Sequence, residues 1–226
     1  SERLGLKVTP CADGTSTDKG FMLLGRSRAS VKIQEGCDQV CAYCIVPTVR
    51  GRERSIPTGE IIEEVRQLIS SGAREVVLTG TQLGSYGFDL DDQSLVSMIT
   101  AVLDQTDIER LRVSSLQPLE ITDDLLELWF NAGADRLCPH FHVPLQAGSD
   151  RVLSTMRRRY TGKEYLASLE RIRSAIPGVA ITTDVMAGFP GETDDEFQRS
   201  LEIVTEANYA DVHIFPYSPR PGTSAA

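Results

Sequence analysis

From Val31 to the end of the chain, short apolar runs alternate with longer amphipathic ones, and this alternation limits the fold more than any single residue does. Strands are expected at residues 30–34, 75–79, 110–114, 137–143, 179–185 and 211–215. Between them lie helix patterns. Ile61, Val65, Leu68 and Ile69 form one apolar stripe over residues 60–70, with Gly72 as the stop. Further helices are expected over 95–103 and over 124–131, the latter stopped by Gly133. Thr161 with Glu164, and Thr193 with Glu196, read as capping boxes that open two more. Six strand–helix repeats result, the last without a clear helix. Such alternation means parallel strands with right-handed crossovers. An open doubly wound sheet and a partial barrel both fit, because a full eight-unit barrel typically takes about 250 residues. In either architecture ligands sit at the carboxyl ends of the strands, so chemistry belongs in the loops that follow them.

Composition narrows the class. With 41% hydrophobic and 24% charged residues in 226, a folded core is expected rather than disorder. No apolar run approaches the roughly 18 residues of a membrane span. Residues 1–10 carry no apolar segment behind a positive start, so no secretion signal is expected; a chain starting at Ser1 reads as processed or excised. The net charge of −9 argues against a broad nonspecific grip on nucleic acid, although 19 of the 23 basic residues are Arg, the side chain suited to bidentate phosphate or carboxylate contacts.

Cysteine usage is the sharpest chemical signal. Cys37, Cys41 and Cys44 crowd into the loop after the first strand as C-x3-C-x2-C, whereas Cys11 and Cys138 stand alone and read as bystander thiols. An odd, crowded set does not suit a secreted disulfide framework and points to metal in a reducing cytoplasm. Structural zinc wants four closed ligands, and no fourth Cys or His lies nearby; His140, His142 and His213 fall on later strands. Three thiolates suit a [4Fe–4S] cluster with one open iron, with zinc or no metal as the alternatives.

The pattern Cys37, Cys41, Tyr43, Cys44 resembles the signature of radical S-adenosylmethionine (radical SAM) enzymes. The run from Gly36 to Arg54, Leu78-Thr-Gly80 with Tyr86-Gly87, His140-Phe-His142 with Leu145-Gln-Ala-Gly-Ser149, Met156-Arg-Arg-Arg159, the Gly188-to-Thr193 segment, and Phe215-Pro-Tyr-Ser218 with Gly222-Thr223 are similar to the methylthiotransferase branch. Leu78 to Gly87, Met156 to Thr161 and Thr182-Thr-Asp184 most resemble the enzymes acting on N6-threonylcarbamoyladenosine in tRNA (MtaB-like); the branches acting on isopentenyladenosine in tRNA or on a ribosomal-protein aspartate are less similar.

That resemblance implies an α/β fold, a partial (β/α)6 TIM-like barrel with outer helices. It implies a [4Fe–4S] cluster on Cys37, Cys41 and Cys44 that binds S-adenosylmethionine (SAM). One electron then cleaves SAM to a 5′-deoxyadenosyl radical that activates C2 of the modified adenosine beside the anticodon. Tyr43, Gly80, Gln82, Gln146, Ser149, Asp184, Gly188 and Tyr217 become SAM contacts; Asp184 holds the ribose or positions an Arg neighbour. Arg50, Arg52, Arg54, Arg157, Arg158 and Arg159 become contacts to the tRNA anticodon stem-loop, with SAM's carboxylate a further option for one of them. Flavodoxin or ferredoxin would be the electron donor, and no membrane is involved. Residues 1–29 read as an approach segment and 30–226 as the radical core. The family's N-terminal domain, with its auxiliary cluster, and its C-terminal RNA-binding β-barrel are read as missing. A non-catalytic zinc-stabilised module is the competing class.

Overall fold

The computed structural model describes residues 27–130 and 134–226. Cys11, most of the approach segment and the Gly133 stop lie outside them. The elements run β1 (Arg28–Lys32), β2 (Gln34–Glu35), α1 (Val46–Arg50), β3 (Arg54–Ser55), α2 (Thr58–Ser70), β4 (Glu75–Thr79), α3 (Leu95–Gln105) and β5 (Arg110–Val113). They continue with α4 (Asp123–Glu127), β6 (His140–His142), α5 (Asp150–Thr155), α6 (Gly162–Ala175), β7 (Ala180–Ala187), α7 (Asp194–Ala207) and β8 (Asp211–Pro216).

The strands β1-β4-β5 pair in parallel, as do β6-β7-β8. Parallel bridges Leu111–Leu137 and Ser115–His142 join the two sets. The spatial order is therefore the sequence order, with no reversal. A doubly wound sheet reverses its order and places helices on both faces. Uniform right-handed crossovers in one direction keep the helices on one face and curl the sheet into an open barrel.

Capping chemistry places the helices. Both expected capping boxes form, at Thr161/Glu164 and Thr193/Glu196. Helix α2 ends as expected at Gly72, whose φ is +92°: Gly72 N–H reaches Ile69 O at 2.9 Å and Ala73 N–H reaches Leu68 O at 2.9 Å, a Schellman closure. The helix expected over 124–131 is only the short α4, because Leu128, Trp129 and Phe130 N–H groups bond three residues back rather than four. The antiparallel β2–β3 pair inside the cysteine loop was not anticipated by the hydrophobic pattern.

The apolar core lies between strands and helices. Val31, Leu78, Leu111, Phe141 and Ile181 face outward from the sheet onto Val65, Ile99, Leu169 and Ile172, all buried. Each such side chain contributes about 1.5–3 kcal/mol by leaving water. Many of the alternate positions, on the concave face, are polar: Arg28, Glu75 and Arg110 share one row, and His142 and Thr182 another, with Val77 and Met186 among the exceptions. Among the described residues no helix is long and apolar enough to cross a membrane.

Candidate functional site

The loop after β1 is built around Gln34 and Gly36. Gln34 is buried, and its Nε2 donates to Gly36 O at 2.9 Å while its Oε1 accepts the Gln82 N–H at 2.8 Å. This ties the start of the cysteine loop to the loop after β4. Gly36 sits at φ +76°, and a Cβ there would collide with the Arg52 carbonyl. Cys37 N–H then reaches Gly51 O at 3.2 Å, and β3 returns to pair with β2, closing the loop on itself.

Cys37, Cys41 and Cys44 rim one open cavity of about 630 Å3, together with Asp38, Arg52 and Arg157. Burial pushes the Cys37 thiol up to about 11. Its sulfur lies 3.9 Å from Gln82 Oε1 and accepts the Gln39 N–H at 3.4 Å. Cys41 Sγ faces Arg158 Nη1 at 3.5 Å. Among the described residues no three His, Cys, Asp or Glu side chains gather as a site for a single metal ion. A four-iron cube carries its protein ligands on separate iron atoms, so thiols spaced around a roomy cavity suit it better than they suit closed tetrahedral zinc. Gly222, Thr223 and Ser224 also line this cavity, and Ala225 N–H bonds Ala42 O at 2.9 Å. Cys138 is buried apart from the three, its sulfur beside Arg110.

A second cavity, of about 300 Å3, shares Cys44 with the first and is walled by Tyr43, Gln146, Met186, Phe215 and Tyr217. Phe189 braces it, edge-on to Tyr43 at 6.4 Å and to Tyr217 at 5.6 Å. Burial pushes the Tyr43 hydroxyl well above its ordinary value. Gln146 adopts φ +69°, held there by its N–H on Asp184 O and by Met186 N–H on its own carbonyl, both at 2.8 Å. Its Oε1 is buried and has no hydrogen-bond partner among the described residues. A buried carboxamide oxygen without a donor is unfavourable until a ligand or water supplies one.

Other expected contacts are engaged within the protein. Gln82 is buried; its Oε1 accepts from Gln117 Nε2 at 2.8 Å and its Nε2 donates to Glu120. Gly80 is packed against Gln34, whose atoms would lie 3.0 Å from a Cβ there. The Ser149 hydroxyl caps α5 and donates to Glu196 at 3.0 Å. Asp184 meets His142 Nε2 at 3.3 Å, not an arginine. Gly188 is exposed at φ +73°, with open space where a Cβ would stand. His140 and His142 do share one face, bridged by the Thr182 hydroxyl at 3.2 and 2.9 Å.

The arginines divide. Arg50 and Arg54 are held by Glu35, at 3.5 and 3.0 Å. Arg52 pairs with Asp38 at 2.9 Å but still lines the cysteine cavity, as does exposed Arg157; Arg159 is also exposed. Arg158 turns inward and is not available as a surface phosphate contact. Sequence reasoning missed Gln34, Gln117 and Glu120. Gln34 carried one signal, a polar side chain breaking the apolar run after Val31 and Ile33. Burial raises the carboxyl of Glu120 above its ordinary value.

Comparison with known proteins fits this geometry. The family model described as the Radical SAM superfamily matches residues 31–204. A tRNA-2-methylthio-N(6)-dimethylallyladenosine synthase of Syntrophotalea carbinolica is 45% identical over 197 residues, 87% of this chain and 44% of that protein. The threonylcarbamoyladenosine tRNA methylthiotransferase MtaB of Bacillus subtilis is 41% identical over 202 residues, covering 89% and 44%. The chain thus spans less than half the length of these relatives. Among solved structures, the radical S-adenosylmethionine methyltransferase TsrM of Kitasatospora setae superposes with a TM-score of 0.68 at 15% identity, over 87% of this chain and 35% of that one. That likeness is one of fold.

Proposed function

The chain belongs to the Radical SAM superfamily, and from that premise we propose that it is the radical core of a tRNA methylthiotransferase, which binds a [4Fe–4S] cluster on Cys37, Cys41 and Cys44 and cleaves SAM beside it. The observation that carries the reading is the unpartnered Gln146 Oε1 in a cavity that shares Cys44 with the thiol-rimmed one. When reduced, the cluster supplies the single electron that SAM cleavage requires. Tyr43, braced by Phe189, and Tyr217 offer flat apolar walls for the adenine, and Gln146 accepts a hydrogen bond from it; exposed Gly188 remains a SAM contact of this reading. Gln82, fixed by Gln117 and Glu120, keeps Cys37 in place. Arg52 and Arg157, at the rim of the cysteine cavity, are the RNA phosphate contacts of this reading. Sulfur insertion from an auxiliary cluster, and an electron donor such as flavodoxin or ferredoxin, complete it outside residues 30–226.

For the substituent on N6 of the target adenosine, threonylcarbamoyl is the reading favoured by the concave wall. His140, whose Nδ1 is buried without a hydrogen-bond partner among the described residues, together with His142, Thr182 and Asp184 makes this wall polar, where a prenyl group would call for aliphatic lining. The 45% identity to a dimethylallyladenosine synthase supports the second reading. Incubating the protein with tRNA carrying either nucleoside, and following transfer of hydrogen into 5′-deoxyadenosine, separates them.

The core of the proposal is tested by anaerobic reconstitution with iron and sulfide. About four irons per chain, a brown chromophore and 5′-deoxyadenosine on dithionite reduction are expected, all lost in the triple Cys37/Cys41/Cys44→Ala variant. Bound zinc, no colour and intact SAM would overturn it.

A further inference from the structure

Arg158 is a partly buried cation that makes no salt bridge among the described residues. Its guanidinium lies 5.1 Å from the centre of the Tyr160 ring, and its Nε donates to Tyr160 Oη at 3.1 Å. Tyr160 is itself fixed, its hydroxyl on Pro144 O at 2.9 Å and Leu145 O at 3.0 Å. The backbone sets the distance to the cysteine loop. Arg157 takes φ +60° with its N–H on Ser154 O, Arg158 N–H bonds Leu153 O, and Ala42 N–H bonds Met156 O at 3.0 Å. The turn carrying Arg158 is thereby bolted to the residue that follows Cys41, and Nη1 meets Cys41 Sγ at 3.5 Å.

Among the described residues no carboxylate forms an ion pair with Arg158. Glu120, on the wall of the same small cavity, is committed to the Gln82 carboxamide and the Gln117 N–H. Glu120 acts on Arg158 only through space, and a cation partly withdrawn from water without a salt-bridge partner is unfavourable. Three thiolates around an iron–sulfur core are net negative, and reduction adds one more negative charge. Resting on the cluster assignment above, we propose that Arg158 is the cluster's built-in counter-charge: through its hydrogen bond to Cys41 Sγ it favours the reduced state and raises the reduction potential. It is a positioning residue, acting on the reacting centre through Cys41. Arg52 and Arg157 cannot serve this way, since both are exposed and screened by water.

The test is a potentiometric titration of the reconstituted protein, followed by electron paramagnetic resonance, for the parent, Arg158→Met and Arg158→Lys. In Arg158→Met the reduction equilibrium is expected to weaken about tenfold, a fall of about 59 mV for one electron. Arg158→Lys is expected to stay nearer the parent, because it keeps the charge. The rise in melting temperature on loading the cluster should also shrink in Arg158→Met. Equal melting shifts in apo and loaded forms with an unchanged potential would mean a packing role and overturn the inference while leaving the cluster assignment intact. If Arg158→Met takes up no cluster, Arg158→Lys decides: uptake with a near-parent potential supports the counter-charge, and failure to load overturns it. A parent chain without a cluster overturns both readings.

Discussion

Phe141 and His142 are neighbours on β6, yet they belong to different parts of the molecule. Phe141 points outward into the helix layer, is 2% exposed and packs on Trp129 at 4.8 Å between ring centres. His142 points into the concavity and touches Thr182 and Asp184. The same division holds at Leu78 against Thr79 and at Ile181 against Thr182. A strand alternates its side chains between faces, so one six-residue run can build a core and a polar wall at once. Stability is concentrated on the convex face, and the concave face is left free to evolve chemistry.

Adjacent substitutions test that division. Phe141→Ala should cost about 3–5 kcal/mol, since it removes a large side chain from a packed layer. His142→Ala should cost only ~0.5–1.5 kcal/mol, the scale of a lost hydrogen bond. Urea unfolding of the two variants measures both. Comparable losses would mean that the concave face is a second core and would undo the comparison.

Two glycines sharpen it at the mouth of the barrel. Gly36 and Gly51 both take positive φ, +76° and +73°, in the same loop. Around Gly51 there is open space; Gly36 is pressed against the returning backbone at Arg52. Gly51 has φ +73° and ψ −160°, a region essentially reserved for glycine, so Gly51→Ala should cost about 1–3 kcal/mol from the backbone alone. Gly36→Ala adds the displacement of a carbonyl and should cost roughly 2–5 kcal/mol, with iron uptake falling in parallel. Retention of full iron loading in Gly36→Ala would show that the β2–β3 closure does not hold the cysteines.

How much of this was legible in the sequence depended on how local the cause was. The strands, the capping boxes at Thr161 and Thr193 and the stop at Gly72 follow from residues a few positions apart; the caps and the stop appear where expected, and the strands overlap their expected ranges, although β1 begins two residues earlier and β6 keeps only three of seven residues. The cysteine spacing was likewise local. The choice of barrel over open sheet was not, because it rests on strand order, which the residue pattern left open and only the family resemblance supplied. The roles of single polar residues were least legible. Gln34 acts on Gln82, 48 positions away, and Arg158 on Cys41, 117 positions away. Ser149 reads in sequence as a ligand contact, but its neighbour in space is Glu196, and the hydroxyl is used there. A polar side chain near a strand end can face a ligand or a neighbouring loop, and only the fold decides which.

The smallest expected effect lies in the charges around β2. Glu35 accepts from Arg54 and Lys32 at 3.0 Å and from Arg50 at 3.5 Å, and the Arg54 bond first, then Lys32, lowers its carboxyl from 4.5 to about 2. A carboxyl whose pKa is lower in the folded state stabilises the fold above its unfolded value and loses that contribution as the pH falls. The loss therefore spans pH 4.5 down to about 2. Because the pairs are wetted on one side, the contribution is modest and salt-sensitive. The melting temperature of Glu35→Gln should fall below the parent's at neutral pH, converge with it through this acidic window, and differ less at high salt. A gap that persisted unchanged to the acid end would mean that Glu35 acts through packing, and the mouth of the barrel would then resemble the convex core rather than the polar wall.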